Sequence, residues 1–204
     1  MLPPGPMEEY MVRNVFHVRQ TDPMAAPLLA ELAIEYAGRY GGSVGEVHAE
    51  LVNHPADEFA PPHGDLLVVV EDGEPVAGGA FRRYDEHTAE LKRIWTAREH
   101  RRRGLATVVL GELEAEALRR GYRRIFLTTG PRQPEAVALY LSAGYTPLER
   151  TIAHPSGLLA HPFEKYPTYP AEVTRRRNRF GRTAGYTPLR SGYSARPEIG
   201  AVPA

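Results

Sequence analysis

Residues 98–107 read Arg-Glu-His-Arg-Arg-Arg-Gly-Leu-Ala-Thr, and they connect a strand pattern to a helix pattern. The first N–H groups of a helix have no partner within it, and the helix dipole favours negative charge at that end. Gly104 allows the backbone to approach a phosphate closely, and four arginines add positive charge. The sequence therefore predicts an anion-binding loop, although it has neither a Walker loop nor a dinucleotide-binding fingerprint. A solvated basic loop is the alternative interpretation.

A helix pattern follows this loop, and three strand patterns precede it. Apolar residues recur every four positions until Gly121 ends the pattern, which predicts an amphipathic helix; they are Leu105, Val109, Leu113 and Ala117. Upstream, two apolar segments flank Asp72-Gly73, a dipeptide typical of a hairpin turn. We therefore predict an antiparallel meander with strands at 66–70, 76–84 and 88–97.

The remaining segments alternate between the two patterns. Ser43 is a suitable N-cap for a short helix, and Glu46 completes a capping box. Residues 53–65 are rich in Pro and His and predict a loop. The other predicted elements are strands at 12–18, 125–128, 145–152 and 158–165, and helices at 25–40, 43–51 and 134–143. The order β-α-α-β-β-β-α-β-α-β-β predicts an α+β domain with a mixed, mostly antiparallel central sheet flanked by helices.

Composition suggests one folded domain with an extension. The chain has 204 residues, of which 42% are hydrophobic and 25% are charged. Residues 168–204 contain seven arginines and two glutamates, are rich in Pro and Gly, and lack a sustained period. We predict a folded domain over 1–167 and a basic C-terminal tail over 168–204 whose composition does not favour an ordered structure.

Several classes of protein are excluded by composition. The absence of cysteine excludes thiol nucleophiles, thiolate zinc sites and disulfides, and no histidine pair has helical ligand spacing, so we expect no metal site. Basic and acidic residues are equal at 25 each, which gives no overall field for nucleic acid or membrane. No apolar run reaches the length of a membrane span, and residues 1–9 lack the features of a signal peptide. We expect a cytoplasmic protein.

Three short motifs resemble the GNAT (GCN5-related N-acetyltransferase) superfamily. Residues 101–106, Arg-Arg-Arg-Gly-Leu-Ala, match the signature Arg/Gln-x-x-Gly-x-Gly/Ala between a strand and a helix. Residues 133–140 match the pattern Asn-x-x-Ala-x-x-Leu-Tyr and are followed by Gly144-Tyr145, and residues 163–165 match the closing Phe-Glu-Lys. The resemblance covers about 12–167. The sequence departs from the family pattern at Arg102, where many members have glycine, and at Gln133, which replaces the usual asparagine.

The resemblance implies a cofactor site and a GNAT fold. Members typically transfer an acetyl group from acetyl-CoA, used as co-substrate, directly to an amine. By similarity, backbone groups at the anion loop would hold the pyrophosphate, and these residues are Arg101, Arg102, Arg103, Gly104, Leu105, Ala106 and Thr107. Ile94, Trp95 and Thr96 would pair with the pantetheine arm, and Gln133 would contact the cofactor. This requires the strand at 88–97 to part from the strand at 125–128.

The resemblance also implies two residues that move protons. Glu90 matches a position where some members carry a glutamate general base, and Tyr140 matches the general-acid tyrosine of the last helix. A solvent-facing carboxylate paired with Lys92 or Arg93 is the alternative for Glu90. A half-buried core aromatic is the alternative for Tyr140.

The sequence leaves the acceptor and the assembly open. A primary amine of a small molecule or of a protein is the expected acceptor, and a homodimer is one expected form. Two other functions compete with catalysis. A non-catalytic acyl-CoA-binding module would bind without turnover, whereas nucleic-acid binding through the arginine-rich tail would depend steeply on salt. The three matching motifs favour the acetyltransferase.

Overall fold

The computed structural model describes residues 13–149, 151–153 and 157–168. Eight strands and four α-helices form within these residues, in the predicted order except near the end of the chain. The strands are β1 (Arg13–His17), β2 (Asp65–Glu71), β3 (Glu74–Arg83), β4 (Thr88–Thr96), β5 (Arg124–Thr129), β6 (Thr146–Pro147), β7 (Ile152–Ala153) and β8 (Leu159–Lys165). The helices are α1 (Ala26–Tyr40), α2 (Val44–Asn53), α3 (Leu105–Arg119) and α4 (Pro134–Ser142).

The sheet is mixed and mostly antiparallel, as predicted. Its order is β1-β2-β3-β4-β5-β8-β6, and β7 pairs with β8. Only the pairing of β4 with β5 is parallel among the described strands. The continuous apolar run in β2 makes it a central strand that is buried along its whole length.

Alternation along β2 divides the core between two faces. Leu67 and Val69 pack with residues of α3 and α4, whereas Leu66 and Val68 belong to a second cluster on the other face. A third cluster on that other face joins residues of α1 to Trp95 of β4. Helices therefore cover both faces of the sheet, α1 on one and α3 with α4 on the other.

Local sequence signals define the helix ends as predicted. Ser43 Oγ accepts a hydrogen bond from the Glu46 N–H at 3.2 Å, and Glu46 Oε2 accepts from the Ser43 N–H at 3.1 Å, which is a complete capping box. Gly121 follows α3 with φ of +92°. The loop predicted at 53–65 occupies 54–64, because Asn53 belongs to α2 and Asp65 to β2, and it contains a short 3-10 turn at Ala56–Phe59.

The parallel pairing of β4 with β5 is short, and this opens the sheet. The pairs run from Thr88 with Arg124 to Glu90 with Phe126, and then the two strands part. A β-bulge interrupts the register of β3 with β4 between Gly78 and Ala80. The bulge redirects β4 after its pairing with β5 ends, so that the second half of β4 has an unpaired edge toward β5.

The prediction of one long strand at 145–152 is wrong. Two short strands, β6 and β7, occur there, and they pair with different ends of β8: Thr146 lies opposite Glu164, and Ile152 lies opposite Ala160. The β6 ladder stops soon after Pro147: the Leu148 N–H donates to the Pro162 carbonyl at 3.0 Å, but Pro162 has no N–H to donate in return.

Apart from Thr168, the described residues fall within the domain predicted over 1–167, and they leave out its residues 1–12, 150 and 154–156. The tail predicted at 168–204 lies outside them apart from Thr168, as does the first residue of the strand predicted at 12–18. Across the described residues, we find no helix that combines the length and hydropathy needed for a membrane span. Nor do three or more potential metal ligands meet within that part of the chain.

Candidate active site

A cleft of about 670 Å³ occupies the gap where β4 parts from β5. Its size is within the range of small-molecule sites. Eleven of the thirteen predicted site residues line it: Ile94, Trp95, Thr96, Arg101, Arg102, Gly104, Leu105, Ala106, Thr107, Gln133 and Tyr140. Arg103 and Glu90 are not among the lining residues.

The anion loop turns into α3 through two residues in the left-handed region. Gly104 is the N-cap of α3 with φ of +77°, and a Cβ added there would meet no atom within 4 Å. Arg102 has φ of +63°, which is unusual for a residue with a side chain. The Gly104 carbonyl accepts hydrogen bonds from Thr107 and Val108. The earlier N–H groups of the helix, at Leu105 and Ala106, have no intrahelical acceptor and are available to an anion.

The arginines of the loop are divided between the cleft and the sheet. Arg101 Nη2 donates to Glu35 Oε2 of α1 at 2.7 Å. Arg103 Nη2 lies 2.8 Å from Glu71 Oε2 of β2, a buried carboxylate that also pairs with Arg13. The pKa of Glu71 is lowered because these guanidinium groups outweigh the opposing effect of burial. Arg103 therefore fastens the loop to the sheet, whereas Arg101 remains at the cleft.

The open edge of β4 is held in position from α1. Trp95 is buried, and its Nε1 donates to Glu31 Oε2 at 3.0 Å. The same carboxylate oxygen accepts from the Arg98 N–H at 3.3 Å. Backbone groups of Ile94 and Thr96 thus lie along the cleft on a fixed strand, where an extended ligand could pair with them.

Gln133 contributes an oriented amide on the opposite side of the cleft. Its Oε1 accepts from Thr129 Oγ1 and from the Gly130 N–H, each at 3.1 Å. These bonds fix the amide plane and leave the NH₂ group as the donor for a ligand. Replacement of the family's asparagine by glutamine therefore keeps a directed amide in the cleft.

Tyr140 lies in the cleft wall with its ring packed and its hydroxyl unengaged. The ring contacts those of Tyr145 and Phe163, with centroids 5.6 and 5.8 Å away. No hydrogen bond to its hydroxyl occurs among the described residues. Burial raises the pKa of Tyr140 well above its ordinary value, so the hydroxyl stays protonated at neutral pH.

Glu90 lies beside the cleft but faces a second pocket of about 640 Å³. It is only 5% exposed, so the expectation that it faces solvent is wrong. Its Oε1 lies 2.7 Å from Lys92 Nζ, and its Oε2 accepts from Arg82 Nε at 2.8 Å. The predicted pairing with Lys92 is therefore present, and Arg82 takes the place suggested for Arg93. A role for Glu90 as general base stays a prediction.

Sequence reasoning missed the contribution of α1 and of the bulge. Glu35 and Tyr36 of α1 line the cleft, as do Lys92 and Arg93 of β4. The periodicity of α1 predicts a helix but does not indicate which partner it covers. In the sequence, Arg93 is one of several charged residues of β4, and no local pattern marks it for burial.

Arg93 is buried and has φ of +60° at the bulge. Its guanidinium donates to Gln20 Oε1 at 2.5 Å and to the Leu51 carbonyl at 2.8 Å, and it lies 4.3 Å from the centroid of the Phe59 ring. Burial lowers the pKa of Arg93 to about 10. The side chain thus connects β4 to the C-terminal end of α2.

With the fold and the cleft described, comparison with known proteins identifies the family. The acetyltransferase (GNAT) family matches residues 31–145, more than half of the chain. This chain therefore belongs to the GNAT acetyltransferase family.

The individual proteins to which this chain is similar share limited sequence identity or limited length with it. The uncharacterized N-acetyltransferase YsnE of Bacillus subtilis is 38% identical over 77 residues, which are 36% of this chain and about half (51%) of that protein. The PaiA N-acetyltransferase of Thermoplasma acidophilum, solved with coenzyme A, is 16% identical with a TM-score of 0.62, over 77% of this chain and 100% of that one. A GNAT acetyltransferase of Staphylococcus aureus is 12% identical with a TM-score of 0.61, over 76% and 99%. These structures share the fold of this chain.

Proposed function

We propose that this chain transfers an acetyl group from acetyl-CoA to a primary amine. The observation that carries the proposal is the continuity of one cleft from the N-terminus of α3 to the open edge of β4. The N-terminus of α3 supplies N–H groups and Arg101 for a pyrophosphate, and the open edge of β4 supplies a strand edge for an extended pantetheine arm. Coenzyme A combines these two chemical features.

Backbone N–H groups on the open edge of β4 also have a catalytic use. Where β4 leaves β5, its N–H groups no longer have a strand partner on that side. Such a group can donate to the thioester carbonyl and stabilise the oxyanion that forms on attack, an effect of about 3 kcal/mol in other enzymes. Because the β4 backbone is fixed by Trp95, this donor needs little reorganisation.

Tyr140 is the proposed general acid. Its hydroxyl is protonated at neutral pH and makes no hydrogen bond within the described residues, so it is available to the sulfur that leaves as CoA thiolate. Its raised pKa keeps the proton on the hydroxyl until negative charge develops on the sulfur.

Glu90 is the proposed general base, and the pocket beside it is the proposed entrance for the acceptor. This pocket is lined by Glu58, His63, Arg82 and Tyr84 as well as by Glu90. An ammonium group entering there meets a buried carboxylate one residue from the point where β4 and β5 part. Loss of a proton to Glu90 would make the amine nucleophilic.

Release of CoA tests the proposed activity directly. The full chain is incubated with acetyl-CoA and with polyamines, amino acids, aminoglycosides or lysine-containing peptides, against blanks without acceptor. We expect turnover with one class of amine. Tight binding of acetyl-CoA without release above the blanks would instead identify a non-catalytic acyl-CoA-binding module.

Substitution of Tyr140 tests its role in this reaction. We expect Tyr140→Phe to lower kcat by about 100-fold, the lower range for acid–base groups, with little change in the KM for acetyl-CoA. Tyr145→Phe is the matched control because Tyr145 is also buried and contacts Tyr140, yet does not line the cleft. Equal kcat values for the two variants would remove Tyr140 from the mechanism.

A further inference from the structure

Lys92 lies at the junction of the two pockets. It lines the cleft proposed for acetyl-CoA, whereas its ion-pair partner Glu90 lines the pocket proposed for the acceptor. The Lys92 side chain is 32% exposed, so its amine is reachable from solvent-filled space. The end of the β4–β5 pairing, where Glu90 is the last paired residue, thus brings together an amine, a carboxylate in contact with it at 2.7 Å and the cleft for a thioester.

The rest of the sequence makes this lysine conspicuous. The chain has only two lysines, Lys92 and Lys165, among 25 basic residues. Lys165 is fully engaged elsewhere: its Nζ donates to both carboxylate oxygens of Glu114, at 2.9 and 2.7 Å, and to the Ala143 carbonyl at 2.8 Å. Lys165 does not line either pocket. The two lysines therefore differ sharply in their access to an acetyl donor.

We propose that Lys92 is an internal acetyl acceptor, so that the protein acetylates itself at the junction of its two pockets when no other amine is present. This inference rests on the proposed function, because it uses the same donor, base and acid. Within the described residues, Lys92 carries the amine nearest to the proposed base. Its modification would require bound acetyl-CoA but no encounter with a second protein molecule.

The chemistry balances without any additional reagent. Glu90 takes one proton from the Lys92 ammonium, and the neutral Nζ attacks the carbonyl carbon of the thioester. A C–N bond forms, the C–S bond breaks, and the nitrogen loses its second proton. The leaving thiolate ends as CoA thiol with a proton supplied through Tyr140. The products are N-acetyl-lysine, CoA and one proton released to solvent.

Acetylation would change the junction in a defined way. The amide is neutral, so the ion pair of Lys92 with Glu90 is lost, whereas Arg82 still holds the other oxygen of Glu90 at 2.8 Å. The acetylated side chain is also longer and occupies space between the pockets. We expect the modified protein to have a higher KM for an added amine than the unmodified protein.

Mass spectrometry of the full chain tests the inference. The protein is incubated with acetyl-CoA and no acceptor, and the intact mass and a peptide map are followed with time. We expect one acetyl group on Lys92 and less than a tenth as much on Lys165, at a rate per molecule that does not change on dilution of the protein. Lys165→Arg should not alter this modification, and Lys92→Arg should abolish it. The melting temperature of each variant shows that it is folded.

Catalysed and spontaneous acetylation differ in their dependence on the proposed machinery. Tyr140→Phe should slow acetylation of Lys92 at least about tenfold if it shares the enzymatic route. Equal modification of both lysines, or a rate that is unchanged in Tyr140→Phe, shows spontaneous acetylation and overturns the inference. Turnover of an added amine with no acetyl on Lys92 overturns the inference alone. Absence of any change in Trp95 fluorescence with acetyl-CoA, together with no transfer, overturns the proposed function as well.

Discussion

Gly104 shows how the conformation of a single residue connects folding to the proposed binding of the donor. Its φ of +77° favours glycine, and a Cβ there would meet no atom within 4 Å, so Gly104→Ala carries a conformational cost without a clash. We expect a loss of about 1–2 kcal/mol in stability and weaker binding of CoA. Gly111→Ala is the matched control, because Gly111 lies inside α3 with equal space and ordinary helical φ, and should stabilise by up to about 1 kcal/mol. Urea unfolding and CoA titration measure both effects; similar changes in both variants would contradict the expectation.

His17 gives the stability of the protein a pH dependence. Its Nδ1 lies 2.5 Å from Asp65 Oδ2, and this hydrogen bond raises the pKa of His17 above 6.5 in spite of its burial. Because the pKa of His17 is higher in the folded than in the unfolded chain, its contact with Asp65 contributes stability. This contribution is fully present below pH 6.5 and is lost as the pH rises through the pKa of His17 in the folded chain. We therefore expect His17→Gln to destabilise more at pH 5.5–6 than at pH 9.

Unfolding curves of both proteins at the two pH values give this difference directly. His87→Gln is a suitable control because His87 is exposed. A destabilisation by His17→Gln that is the same at both pH values would show that the contact with Asp65 acts only through packing.

At the scale of an element, α2 is held in place by polar contacts. It has no buried residue, and its last carbonyls accept hydrogen bonds from buried side chains: Leu51 from Arg93, and Val52 from Gln20. Hydrogen bonds from charged groups are each worth about 1.5–3 kcal/mol, whereas removal of a buried guanidinium relieves a desolvation cost. We expect Arg93→Met to change the free energy of global unfolding by less than about 1 kcal/mol, because the lost hydrogen bonds and the relieved desolvation cost oppose each other. The same substitution should loosen α2.

Amide hydrogen exchange measures this loosening. Protection across 44–53 should fall about tenfold or more in Arg93→Met, which corresponds to about 1.4 kcal/mol of local stability. Arg123→Met, at an exposed arginine, should leave exchange in α2 unchanged. Unaltered protection of α2 in Arg93→Met would mean that the partly buried apolar residues of α2 hold the helix without help.

Elements whose signals are local could be predicted from the sequence, and those set by distant partners could not. The capping box of Ser43 and Glu46 and the turn at Asp72-Gly73 depend on adjacent residues, and both segments form as expected. The bulge at Arg93 and the division of the strand predicted at 145–152 depend on β3, α2 and β8, which lie far away in sequence. If side chains alternated strictly along β4, Leu91 and Ile94 would lie on opposite faces of the sheet. Both contact the hydrophobic cluster that includes α3, because the bulge shifts the register between them.

The same distinction applies to the site. Its anion loop and Tyr140 belong to short motifs that can be read from contiguous residues, and both line the cleft. Glu35 and Tyr36 reach the cleft only because α1 folds across the opposite face of the sheet. A helical period in the sequence predicts that α1 is a helix, but it does not predict against which face of the sheet the helix packs.

At the scale of the whole molecule, the cleft divides the helical layers. On one side, α1 reaches it through Glu35; on the other, α3 and α4 contribute Leu105 and Tyr140. Two ion pairs join these sides at the rim, Arg101 with Glu35 at 2.7 Å and Arg39 with Glu135, and Arg39 also pairs with Glu35 within α1. Exposed pairs of this kind contribute only about 0–1 kcal/mol each. A ligand that fills the cleft and contacts both helical layers should therefore stabilise their association much more than these ion pairs do.

Ligand binding should consequently stabilise the entire domain. A ligand that binds only the folded chain adds about 2.7 kcal/mol at a concentration of 100 Kd. For a protein of this size, that corresponds to a rise in Tm of roughly 5–10 °C. We expect CoA and acetyl-CoA to produce this rise, measured by thermal unfolding of the full chain, with a smaller rise in Gly104→Ala at the same concentration because its anion loop is strained. ATP shares the adenine and phosphates of CoA but lacks the pantetheine arm that we propose pairs with β4, so it serves as the control and should raise the Tm less. If ATP and CoA shifted the Tm equally, the open edge of β4 would have no part in recognition of the donor.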